Sequence, residues 1–146
     1  MKAIDLCTRK VTTALASAPV AALAKMMRVD HVGCVVVTAE GKPVGIVTDR
    51  DIVVEVVATG LDPSILTAGE IMSTSPAVAN AGDDALWGLK IMRDRGVRRL
   101  PVVREDGALA GILAFDDLME YVGNTLGDIA QVVGTERSIE AWRRAS

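Results

Sequence analysis

Set against itself at an offset of 66 residues, the sequence matches without a gap: Leu23 falls on Leu89, Met26 on Met92, Val36 on Val102 and Val37 on Val103. The same offset brings Gly41 onto Gly107, Gly45 onto Gly111, Ile46 onto Ile112 and Asp51 onto Asp117. Chance does not keep apolar, glycine and acidic positions in one order over so long a stretch, so the chain is an internal duplication. Whatever one copy folds into, the other must fold into as well, and the two must pack together.

Each copy reads as helix, strand, turn, strand, helix. In the second, Ala85, Leu86, Leu89 and Met92 recur at three- and four-residue steps, which predicts a helix over 84–95. Leu100 to Val103 and Ala108 to Leu113 flank Glu105-Asp106-Gly107 and predict a hairpin. The first copy gives a helix from Pro19 to Val29, strands at 34–38 and 43–48 around Glu40-Gly41, and a helix from Asp49 to about Ala58. Pro19 suits a first helical turn, where its missing N–H is no loss. Leu61-Asp62-Pro63 marks a linker, dividing the chain into 1–62, 63–133 and a helical tail over 134–146. One hairpin with two helices exposes too much apolar surface to stand alone. Two copies facing each other solve this and create two related clefts, the kind of place where small ligands bind.

The segment richest in chemistry is Gly45-Ile46-Val47-Thr48-Asp49-Arg50-Asp51, a strand that ends in a polar cluster opening a helix. A helix start favours anions, and Asp51 stands one turn after the Thr48 hydroxyl, where its carboxylate could accept both hydroxyls of a ribose. The same spacing equally describes a capping box, with Thr48 capping the helix and Asp51 reaching back. On spacing alone the capping reading is the stronger.

The pattern Gly, two hydrophobic residues, Thr or Ser, two residues, Asp resembles the nucleotide signature of CBS domains, and GIVTDRD fits it throughout. The resemblance extends from about Ile4 to Val133, including LPVV at 100–103 and MRDRGV at 92–97. It implies an α/β (α+β) fold of tandem repeats about a pseudo-twofold axis, the Bateman module, with clefts for adenosine-containing ligands. By that resemblance Asp51 holds a ribose, Thr48 a phosphate, and Gly45 allows close approach. The ligand expected is AMP, ADP or ATP, with S-adenosylmethionine and NAD as alternatives, and no cofactor is required. The resemblance also implies face-to-face pairing into a homodimer and regulation of a separate effector protein.

The second copy, GILAFDD, keeps Gly111 and Asp117 but has Ala114 in place of the Thr. Asp117 could still bind a ribose, so the second cleft either takes a nucleoside or stays empty. Arg98 and Arg99 precede Leu100-Pro101, where nucleotide-binding CBS domains often carry basic residues; they read either as phosphate ligands or as a solvated pair near Asp94 or Asp106. His31, the only histidine, reads as an exposed loop residue. Met26, Met27, Met92 and Met119 read as core gap-fillers, and Trp87 as a packing or dimer-contact residue. Leu126, Ile129, Val132 and Val133 make the tail helical, either covering its own module or meeting a partner.

Composition excludes much else. Sixteen Lys and Arg against nineteen Asp and Glu argue against nucleic acid and anionic membrane, and 3% aromatics leave no stacking platform. Cys7 and Cys34 lack metal-ligand spacing and fit a reducing cytoplasm. Lys2, Arg9 and Lys10 before the apolar run of 11–24 imitate a leader, but Thr12, Thr13, Ser17 and Pro19 interrupt it. No Walker loop, no GxGxxG and no local nucleophile–histidine motif is present, so the chain reads as a regulatory module and not an enzyme. The alternative to a ligand sensor is an interaction or oligomerisation module that has kept the scaffold without a ligand.

Overall fold

The computed structural model describes residues 1–145. In the first copy α2 (Val20–Asp30) follows Pro19, which takes the N-cap position, one place before the helix proper. Then come β2 (Cys34–Ala39) and β3 (Lys42–Thr48), joined through Glu40 and Gly41, both with positive φ. That conformation is what a two-residue hairpin turn demands. In the second copy α5 (Trp87–Arg95) ends on Gly96 in the left-handed region and leads to β6 (Arg99–Val103) and β7 (Leu109–Ala114). The helix predicted from Asp84 starts later because 84–86 forms a turn closed by a Trp87 N–H bond to the Asp84 carbonyl. The helix predicted over 49–58 is α3 (Asp49–Ile52), continuing without a break into a π-helical turn at Val53–Val57.

Val35, Val36 and Val37 are all fully buried, so both faces of β2 are covered. The first core gathers Leu23, Met27, Val35, Val37 and Val47; the second gathers Met92, Leu100, Val102, Leu113 and Leu118. Removing each such side chain from water contributes about 1.5–3 kcal/mol. Met26 packs against the first core, but Met119, expected in the interior, is 52% exposed. It lies one position past Leu118, and that 100° step carries it off the buried face. Trp87 is half exposed, with Lys90 Nζ 4.4 Å from the ring centroid.

Five short elements have no counterpart in the sequence reading: α1 (Ala3–Leu6), β1 (Thr13–Ala14), α4 (Ala68–Ile71), β4 (Ser73–Thr74) and β5 (Ala79–Asn80). They tie the copies together. β1 and β5 run parallel to β2 and β6 within their own copies. The segments before them cross over. β4 adds to β3 of the first sheet and Ala68 lies in the first core, while Thr8 bridges Ile112 and Ala3 and Cys7 lie in the second core. Each leading segment therefore finishes the other copy's sheet. Where the hairpins meet, Leu109 N–H donates to the Gly41 carbonyl at 2.9 Å.

The last helix, α6 (Phe115–Ala145), runs through 133 and 134 without interruption. At 1.5 Å per residue its 31 residues extend about 46 Å, and only its first two turns rest on the body of the protein. Among the described residues, no helix is long and apolar enough to cross a membrane.

Candidate ligand clefts between the repeats

The crossed arrangement brings the β3–α3 junction of the first copy against the start of β6 in the second. Between them is a cleft of about 520 Å³ lined by Thr48, Asp49, Arg50 and Asp51 on one side and Arg98 and Arg99 on the other. Ile46, Pro76, Ala77 and Val97 add apolar walls. Four of the six residues singled out from the sequence thus share one cavity.

The capping box is present. Asp51 N–H donates to Thr48 Oγ1 at 3.1 Å, and Thr48 N–H donates to Asp51 Oδ2 at 2.7 Å. These bonds leave chemistry over. The Thr48 hydroxyl acts only as acceptor, so its proton is available, and Asp51 Oδ1 has no hydrogen-bond partner among the described residues. Capping fixes the rotamers of both side chains at the cleft wall, so the two readings of the motif are compatible.

Arg98 sends Nη2 to Asp116 Oδ1 at 3.1 Å and lies 5.2 Å from the Phe115 ring centroid. Its carboxylate is thus neither Asp94 nor Asp106. Both partners of the pair are more than 70% exposed, so it holds the guanidinium only weakly. Arg99 lines this cleft and the second one. Gly33 makes room for it: a Cβ there would fall 3.2 Å from Arg99 Nη2 and 3.1 Å from Asp49 Oδ2.

Gly45 is not among the residues lining the cleft. A Cβ there would fall 2.8 Å from Met72 Cγ, and closer still to the sulfur. What approaches Gly45 closely is the crossing segment. Gly111 repeats this, with Cys7 Sγ and the Thr8 carbonyl occupying the space above it.

The second cleft, about 210 Å³, contains Asp117, Ala114, Arg99, Lys10 and His31. Asp117 Oδ2 accepts from Ala114 N–H at 2.9 Å, half of the box seen in the first copy, with no hydroxyl to return the bond. His31 is exposed, as expected, but it is the left-handed C-cap of α2 rather than part of a loose loop, and it faces this cavity. Neither Lys10 nor His31 carries a local signal for such a place. Only the crossing of the leading segment brings Lys10 there. Burial pushes the Cys7 and Cys34 thiols up, so both stay protonated, poor nucleophiles and poor metal ligands.

The CBS domain family model matches residues 3–58 and 68–124, most of the chain and both copies. The chain belongs to the CBS-domain family. Its CBS pair is 32% identical to the CBS domain-containing protein YhcV of Bacillus subtilis, over 86% of this chain and 93% of that one. It is 33% identical to an uncharacterised protein of Methanopyrus kandleri, covering 80% of this chain but only 60% of that relative's length. Among solved structures, a CBS domain protein from Pyrobaculum aerophilum complexed with AMP superposes with a TM-score of 0.75 at 28% identity, over 81% of this chain and 90% of the other. The mixed α/β architecture of two small sheets is thus that of tandem CBS structures.

Proposed function

We propose that this CBS pair is a regulatory module, without catalytic activity of its own, that binds an adenine nucleotide in the first cleft and passes the bound state to a separate effector protein. The observation that carries this reading is the meeting of Thr48 and Asp51 from one copy with Arg98 and Arg99 from the other across about 520 Å³. That volume is in the range of small-molecule sites. A ribose at Asp51 Oδ1, a phosphate between the Thr48 hydroxyl and the arginines, and a base against Ile46, Ala77 and Val97 would use every feature of the cavity. The AMP bound by the Pyrobaculum relative supports the ligand class. Because the ligand would touch both copies, occupancy would favour one angle between them, and an effector binding that angle preferentially would sense the ligand. A homodimer in the cytoplasm is the setting proposed for it.

Calorimetry with AMP, ADP, ATP, NAD and S-adenosylmethionine tests this directly. Binding of at least one adenine nucleotide is expected, and no binding by any at millimolar concentration would sink the proposal. Asp51→Asn keeps an oxygen for the cap and removes the charge that a ribose needs, so binding should fall at least tenfold with the fold intact. Ala114 favours the second reading, a ligand-independent interaction module. An effector complex whose affinity is the same with and without nucleotide, and unchanged in Asp51→Asn, would establish that reading instead.

A further inference from the structure

Beyond its first two turns, α6 is a helix that the body of the protein does not cover. Leu118 is fully buried, and Val122, Leu126, Ile129 and Val133 follow it at steps of four, four, three and four, continuing the same face outward with Val132 and Ile139 beside it. Leu126 and Ile129 are 60% and 56% exposed. This stretch is also poorly suited to standing alone. Gly123, Gly127 and Gly134 interrupt it, and β-branched residues occupy 125, 129, 132, 133, 135 and 139. Glycine is the least favourable helix residue after proline, and a helix of this length in water needs packing to persist.

Its charge is distributed unevenly. From 119 to 130 the only charged groups are Glu120 and Asp128, whereas from 131 to 145 Arg137, Arg143 and Arg144 outnumber Glu136 and Glu140. A second copy of the same helix running the opposite way sets acidic half against basic half, opposes the two helix dipoles, and leaves the folded bodies at opposite ends without collision. A parallel copy sets like against like. We propose that α6 pairs antiparallel with α6 of a second copy through the Leu126–Ile129–Val133 face, independently of ligand. In the register that sets Asp128 against Arg137, Leu126 meets Ile139 and Val132 meets Val133.

Full-length Leu126→Cys and Ile139→Cys chains, mixed and oxidised, decide the matter. The native Cys7 and Cys34 are buried and do not compete. The 126–139 cross-link between chains should exceed either like-with-like product severalfold. In sedimentation velocity, the double variant Leu126→Glu/Ile129→Glu should halve the mass of the particle. Both positions are exposed, so the body should fold normally, and a chain ending at Val122 gives the same reading if the double variant is insoluble. Predominant 126–126 and 139–139 products, absence of cross-linking between chains, or an unchanged mass would overturn the proposal.

Discussion

At the scale of single residues, the two copies carry out a natural comparison. Thr48 and Ala114 occupy equivalent positions, and Asp51 and Asp117 both reach back to a backbone N–H. Only the hydroxyl differs. Thr48→Ala therefore turns the first site into the second: loss of the cap should cost about 1 kcal/mol of stability. AMP affinity should fall about tenfold, equivalent to 1.4 kcal/mol, while adenosine, with no phosphate to lose, should bind nearly as before. Calorimetry with both ligands separates these effects. Arg98→Ala should likewise weaken AMP and spare adenosine, and should hardly alter the urea midpoint, because its pair with Asp116 is exposed. Thr48, Asp51, Arg98 and Arg99 were legible because they belong to a short pattern or a short charge cluster. Gly45 was legible as a special position but not for its reason: only the fold reveals that Met72 arrives above it. His31 and Lys10 were illegible as cleft residues, since nothing near them in sequence marks the cavity they share.

At the scale of elements, periodicity and turn chemistry located the four long strands and the main helices, and missed every piece of two to four residues. A four-residue helix holds barely one turn, too little for an apolar period to register. α1 and α4 owe their form instead to an acidic residue reaching back to a cap: Asp5 Oδ2 accepts from Lys2 N–H, and Glu70 Oε2 from Thr67 N–H. Such helices persist because the residue that ends each of them packs onto the other copy's sheet. Cys7 settles over Gly111 and Met72 over Gly45. Gly88 serves close packing within the second copy: a Cβ there would fall 2.8 Å from Leu113 Cδ2, and Leu113 is fully buried. Gly88→Ala gains helix propensity yet forces a core side chain aside, so a net loss of about 1–3 kcal/mol is expected. Urea titration measures it. Gly82→Ala, where a Cβ meets nothing within 4 Å, should leave the midpoint nearly unchanged.

At the scale of the whole molecule, the exchange of leading segments decides how the protein unfolds. Two beads on a string would melt independently, and a cavity in one would leave the other's transition in place. Here Ala3 and Cys7 belong to the second core and Ala68 to the first, so neither core is complete without chain from the other copy. Leu23→Ala in the first core and Leu100→Ala in the second should each cost about 2–5 kcal/mol. Each should shift a single common transition, with the calorimetric and van't Hoff enthalpies in agreement. A nucleotide bridging Asp51 to Arg99 acts on that same transition from outside: at one hundred times its dissociation constant, AMP should add about 2.7 kcal/mol. The increment should be the same in both core variants, because the ligand stabilises the joined pair and not one half of it. Two separable transitions in either variant, with AMP moving only one of them, would mean that the cleft couples the copies more weakly than the crossed strands require.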